Sequence, residues 1–235
     1  MKAIEVRGLS KAFGDHAIFS KLSLHVGRGE LVALLGPSGC GKTTILRCLA
    51  GLDKPDAGWF NVNGESGIVF QEPRLFGWLD VRGNVAFAAR TPEERARVDE
   101  LIEQVGLTSA AARLPKELSG GMAQRTALAR SLVRNPQVLL LDEPFAAVDA
   151  LRRYELQRQL RAIVESRDLS ALIVTHDVDE AIFLADRILV LGGEPATIRA
   201  ELPEGTNRDQ LLAALASGGK NDGVVIPSVG AQSAP

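Results

Sequence analysis

Two cysteines, Cys40 and Cys48, are the only thiols in 235 residues. Eight positions apart on one helix, they would lie about 12 Å from each other, too far to bridge. No disulfide framework can be built from them, which excludes a small stapled secreted fold and points to a reducing compartment, the cytoplasm. A surplus of charge of one sign is also missing. Lys and Arg number 27 against 29 Asp and Glu, a formal net charge of −2, so nothing electrostatic favours a nucleic-acid partner. Charges interrupt every short apolar run between Met1 and Arg7, which argues against a signal peptide or an anchor. Nothing further along reaches the ~18 to 20 apolar residues of a spanning helix. If the protein serves a membrane, another chain must cross it. No internal repeat is visible.

What is present is an ordinary globular composition, 46% hydrophobic and 24% charged. A chain of this length buries about 70 to 75% of its unfolded surface. Ile4 to Leu9 and Phe19 to Val26 alternate as strands, and Glu30 to Leu35 is a compact apolar strand followed by a helix from Lys42 to about Ala50. Gly58 to Val62 and Ile68 to Phe70 flank Asn63-Gly64, a hairpin turn signal, and are expected to join the first strands in a small antiparallel sheet. From Asp80 to about Val133 the pattern is helical. Thr91, Pro92 and Glu94 make a capping box, and Arg95 to Val105 continues the helix. Val138 to Leu141, Ala171 to Val174 and Arg187 to Leu191 are apolar on both faces, as central parallel strands are, with helices at Ala150 to Arg167 and Asp177 to Leu184 between them. Strands alternating with helices imply an α/β core with a parallel sheet. The expected organisation is one domain over residues 1–215, with a helical subdomain inserted at about 80–133. Residues 216–235 lack any period and are expected to form a flexible tail.

The chemistry begins at Gly36-Pro37-Ser38-Gly39-Cys40-Gly41-Lys42-Thr43-Thr44, which follows a strand and opens a helix. This spacing is that of a phosphate-binding loop, and it makes the core that of a P-loop NTPase. Its glycines let backbone N–H groups converge on phosphate oxygens at a helix N-terminus, Lys42 reaches the β and γ phosphates, and the Thr43 hydroxyl can ligate magnesium. Asp142 closes the strand from Val138, at the carboxyl edge where open α/β sheets hold ligands, and is the magnesium-side acid. Glu143, next in the chain, is placed to polarise the attacking water as general base. Between the loop and this acidic pair stands Leu118-Ser119-Gly120-Gly121-Met122-Ala123-Gln124-Arg125. Taken alone it is a helix cap with two permissive glycines.

The order of these stretches resembles the ATPase subunit of an ATP-binding cassette (ABC) transporter, and the resemblance covers the chain to about residue 200. It implies ATP and Mg2+ as cofactors, with Thr43, Gln71 and Asp142 on the metal side. It further implies that Phe13 stacks on adenine, that Gln71 senses the metal or the lytic water, and that His176 contacts the γ-phosphate and orients Glu143. The signature, Ser119 to Gly121, would face the γ-phosphate held by a second subunit's loop, with Asp149 in the aspartate loop Ala146-Ala147-Val148-Asp149 at the same interface. The functional unit would then be a pair of ATPase subunits, a homodimer by expectation, enclosing two nucleotides.

Gln71-Glu-Pro-Arg-Leu-Phe-Gly-Trp78 and Thr175-His176-Asp177-Val178-Asp179-Glu180-Ala181 resemble the importers of sulfonates, taurine and nitrate. That implies transmembrane permease subunits as partners, with Phe76 and Trp78 docking a helix of theirs, an extracytoplasmic binding protein acting indirectly, and a place at the cytoplasmic face of the membrane. Two departures bear on this. The chain is short between Gly58 and Gln71, and it has no second domain after residue 200 of the kind sugar-importer ATPases carry. An exporter or lipid-handling ATPase, a soluble cassette ATPase and a phosphotransferase on the same loop are the competing readings.

Overall fold

The computed structural model describes residues 1–146 and 148–217. The strands are β1 (Lys2–Phe13), β2 (His16–Gly27), β3 (Leu31–Leu35), β4 (Ala57–Val62), β5 (Ser66–Val69), β6 (Val138–Asp142), β7 (Ser170–Thr175), β8 (Arg187–Gly192) and β9 (Thr197–Pro203). The helices are α1 (Lys42–Leu49), α2 (Val81–Ala86), α3 (Pro92–Ala96), α4 (Val98–Gln104), α5 (Gly120–Leu132), α6 (Ala150–Ser166), α7 (Val178–Leu184) and α8 (Arg208–Ser217). Two sheets result. An antiparallel one has the order β2-β1-β4, and a six-stranded one has the order β5-β6-β7-β3-β8-β9, parallel except where β9 returns along β8.

The central strands β3, β6 and β7 are buried along their whole length. Alternation decides which layer each side chain joins. Leu31, Ala33, Leu35, Leu139, Leu141, Ala171 and Ile173 face a core shared with α2 and α4 to α8. Val32, Leu34, Val138, Leu140, Leu172 and Val174 face a second core made with α1 and the antiparallel sheet. The sheet is therefore covered on both sides, the condition under which parallel strands persist. Its carboxyl edge is left to carry the loops after β3, β6 and β7.

Two sequence expectations are corrected. Asn63-Gly64 does not close a hairpin: β4 pairs with β1, whereas β5 crosses to the other sheet and runs parallel to β6. Asn63 is held by β1 through the Ala3 carbonyl at 2.8 Å and the Lys2 carbonyl at 2.7 Å, and the Gln137 side chain accepts the Glu65 N–H at 2.7 Å just beyond. The turn residues serve a sheet-to-sheet passage, which a two-residue motif cannot distinguish from a hairpin.

The capping box at Thr91 forms as expected, but the helix does not continue. It stops at Ala96, and a new one begins at Val98. Pro92–Ala96 buries no side chain, whereas Val98, Leu101 and Ile102 are buried, so packing holds only the second piece.

Helix α8 extends to Ser217, past residue 215, and packs on the sheet through fully buried Leu211. The rest of the expected tail, 218–235, lies outside the described residues, as does Ala147 of the aspartate loop.

Candidate nucleotide-binding site

The loop between β3 and α1 is shaped by close backbone approach. A Cβ on Gly36 would stand 2.8 Å from the Leu191 carbonyl oxygen, and one on Gly41 would stand 2.5 Å from the Ile18 side chain. Gly41 also starts α1 in the left-handed region, at φ 94°, which an L side chain resists. Lys42 is buried and curls back over the loop, donating from Nζ to the Gly36 and Pro37 carbonyls at 2.8 Å each. Beside the loop opens a cleft of 730 Å³, lined by Pro37, Ser38, Gly39 and Cys40 on one side and by His16, Ala17 and Ile18 of β2 on the other. Phe13 stands at the turn of the same β1–β2 hairpin, paired with His16 and 55% exposed, with Lys11 Nζ 5.3 Å from its ring centroid.

Strand β6 delivers its acid to the loop. The Thr43 hydroxyl donates to Asp142 Oδ1 at 2.9 Å, across nearly a hundred residues of sequence. Burial pushes the Asp142 carboxyl above its ordinary range, opposed by the Thr43 hydrogen bond. Glu143 follows in a left-handed conformation, φ 42°, its N–H bound to the Val174 carbonyl at 2.9 Å. A non-glycine residue held there is strained, and such strain gathers at functional sites. The turn directs the Glu143 side chain to the end of β7, where His176 Nδ1 lies 3.0 Å from Glu143 Oε2. Gln71 reaches the same oxygen from the end of β5, with Nε2 at 3.5 Å.

Four segments far apart in sequence thus meet at the carboxyl edge of the parallel strands: the loop with Thr43 and Thr44, Gln71, Asp142 with Glu143, and His176. The signature does not join them. Ser119 caps α5, accepting the Met122 N–H at 3.3 Å, and with Gly121 it borders a separate cavity of 260 Å³ together with Arg152 and Glu155. Asp149 caps α6 through the Arg152 N–H at 3.2 Å. No contact within the chain links Ser119, Gly120 or Gly121 to the loop residues among those described.

The chain matches the model of the ABC transporter family over residues 19–146. It is a member of that family. This ABC ATPase is 49% identical over 218 residues to the aliphatic sulfonates import ATP-binding protein SsuB 2 of Pseudomonas syringae pv. tomato, covering 90% of this chain and 94% of that one. It is 48% identical to SsuB 1 of Xanthomonas axonopodis pv. citri, covering 87% and 88%. Among solved structures it superposes with TM-score 0.76 and 29% identity on the dimeric cassette MJ0796, and with TM-score 0.75 and 28% identity on the dimeric post-hydrolysis state of MJ0796 bound to ADP and Pi. Each alignment covers 87% of this chain and 100% of the other. ABC ATPases bind ATP and hydrolyse it to drive a transporter, and no helix among the described residues is long and apolar enough to cross a membrane.

Several residues that hold the site together give no sign of that role in the sequence. Gln124, inside the signature stretch, donates to the Phe70 carbonyl at 3.1 Å, and Arg130 donates to the Pro73 and Arg74 carbonyls at 2.7 and 2.9 Å, so α5 grips the segment around Gln71. Asn84 is fully buried in α2. It accepts the Phe76 N–H at 2.7 Å and donates to the carbonyls of Phe76, Leu79 and Asp80. That shapes the loop presenting Phe76, Trp78 and Phe87, whose rings lie 5.3 and 4.2 Å from Phe76 respectively. A lone Asn or Gln has no periodicity to give it away.

Proposed function

We propose that the ABC ATPase powers import of a small organosulfur anion of the aliphatic sulfonate class, with two copies closing on two ATP molecules. The observation that carries the chemistry is the meeting of Glu143, His176 and Gln71 beside the Thr43–Asp142 pair. Lys42 leaves its own loop carbonyls for the β and γ phosphates, and Gly36 to Thr44 surround them with N–H groups. The adenine stacks on Phe13. Glu143 accepts the proton of the attacking water while His176 holds the carboxylate in place and contacts the γ-phosphate.

The residues fit a magnesium ion: Thr43 and Asp142 present hard oxygen atoms, few in number, as Mg2+ prefers when phosphates supply the remainder. Gln71 would complete that side. The ion, when bound, neutralises charge that develops on the phosphate oxygens.

The separation of Ser119, Gly120, Gly121 and Asp149 from the loop in one chain supports a shared site, in which they contact the nucleotide of the other subunit. The dimeric state of both MJ0796 structures supports the same arrangement. Trp78 and Phe87, 77% and 62% exposed, form with Phe76 an aromatic patch suited to a helix of the permease subunit. An extracytoplasmic binding protein would then act through the permease, and the ATPase would sit at the cytoplasmic face as a peripheral subunit, in keeping with its two free thiols. The names of the relatives favour import over export. Reconstitution with the permease and binding protein tests the reading: sulfonate should stimulate ATP hydrolysis and accumulate in vesicles, and stimulation by no sulfonate at all would overturn the substrate class.

A further inference from the structure

We propose that Glu180 is a positioning residue for hydrolysis, acting with Asp177 and Arg153 to clamp the turn that carries His176 and to join it to the segment entering α6. The inference rests on the roles given above to His176 and Glu143. Glu180 is 4% exposed, on the inner face of α7. The turn it backs runs from Thr175, whose hydroxyl accepts the Asp177 N–H at 3.0 Å and lies alongside the Glu180 carboxyl. Asp177 uses one oxygen to cap α7, accepting the N–H groups of Asp179 and Glu180 at 2.9 and 3.1 Å. Its other oxygen meets Arg153 Nη1 at 2.9 Å. Arg153 in turn donates from Nη2 to the Val148 carbonyl at 3.2 Å, one residue before the Asp149 cap. A continuous set of contacts therefore leads from the aspartate loop to both sides of His176.

Within this set Glu180 Oε1 and Arg153 Nε are buried without a hydrogen-bond partner among the described residues. A buried carboxylate left in that condition would be costly, and a neutral carboxyl is the form the surroundings favour. The groups around it are Asp177 at the start of α7, Glu143 after β6, Thr175 at the end of β7 and Arg153 on α6, while Arg208 of α8 is engaged by Asp179. Burial, then the negative charge of Asp177, pushes the Glu180 carboxyl up to about 8. The Thr175 hydroxyl, which accepts the Asp177 N–H, donates its own O–H to the Glu180 carboxyl. Once ionised, that carboxyl keeps the bond but adds negative charge beside Asp177 and Glu143, loosening the turn behind His176.

The test uses the full chain with ATP and magnesium, comparing wild type, Glu180→Gln and Glu180→Leu. Glu180→Leu keeps the bulk but no acceptor for the Thr175 hydroxyl, and should lower kcat about tenfold while KM for ATP changes less than about twofold. Glu180→Gln keeps an uncharged acceptor for Thr175 at every pH. It should match wild type at neutral pH and lack the wild-type loss of kcat above about pH 8. A wild-type kcat retained in Glu180→Leu, or alkaline limbs that coincide in Glu180→Gln and wild type, overturns the inference. Should Glu180→Leu fail to fold, the comparison of alkaline limbs decides alone. Glu143→Gln and His176→Ala run alongside. If these leave hydrolysis intact, the reading of the site fails and the inference with it, whereas if they abolish it and the Glu180 variants behave as wild type, only the inference fails.

Discussion

His176 Nδ1 and Glu143 Oε2 lie 3.0 Å apart, although 32 residues of chain, including all of α6 and β7, separate them. The contact exists because β6 and β7 are neighbours in the parallel sheet and release the two residues at the same edge. Glu143→Gln should keep this geometry but remove the proposed proton acceptor. Hydrolysis should fall at least ~100-fold, and the variant should accumulate as an ATP-bound dimer. Gel filtration with ATP reads this directly; a monomer only would contradict the shared site for the isolated chain.

Lys42→Ala removes the charge proposed to meet the phosphates along with two hydrogen bonds to the loop. ATP should no longer raise the melting temperature, whereas the wild type should gain about 2.7 kcal/mol at a hundredfold excess over Kd. Thermal scans with and without nucleotide distinguish this from a general loss of stability.

Trp78→Ala and Phe87→Ala remove exposed rings that no core depends on. Basal hydrolysis should be unchanged. Co-purification with the permease should weaken by at least ~2 kcal/mol, as for an interface hot spot. Equal recovery of the complex would place the docking surface elsewhere.

Asn84→Ala should cost roughly 2 to 4 kcal/mol, because it strands the Phe76 N–H and the Leu79 carbonyl near a buried position, while the Phe76 and Asp80 carbonyls keep their bonds from the Leu79 and Asn84 backbone N–H groups. Urea titration measures it. The loop carrying Phe76 and Trp78 should also become more susceptible to proteolysis, which a uniform loss of stability would not produce.

Glu180 makes stability depend on pH. Its carboxyl is held above its unfolded value, up to about 8, by burial first and Asp177 second. The favourable contribution is therefore complete below the unfolded pKa of roughly 4.3 and is lost as pH rises toward 8. Glu180→Gln should show a flatter loss of unfolding free energy between those limits, and parallel urea midpoints for the two proteins across that window would rule this out.

Phosphate loop, signature and acidic pair are legible in sequence because each is a local string whose function needs those residues at that spacing. The buried strands are legible because both faces are apolar. The turn at Asn63-Gly64 was not legible as a crossing between sheets, since the choice depends on β1 and Gln137, distant in the chain. Strand β9 and helix α2 carry too weak a pattern to stand out, and Asn84, Gln124 and Glu180 are single polar residues whose burial is decided by their neighbours.

By itself the sequence determined an α/β core carrying a loop with phosphate-binding spacing, because local spacing sets which backbone groups can converge on an anion. Only the tertiary structure decided that Gln71, Glu143 and His176 share one oxygen, that Thr43 meets Asp142, and that Ser119 and Gly121 open onto a different cavity. Those relationships follow from strand order, and strand order is set by which apolar faces can be buried together.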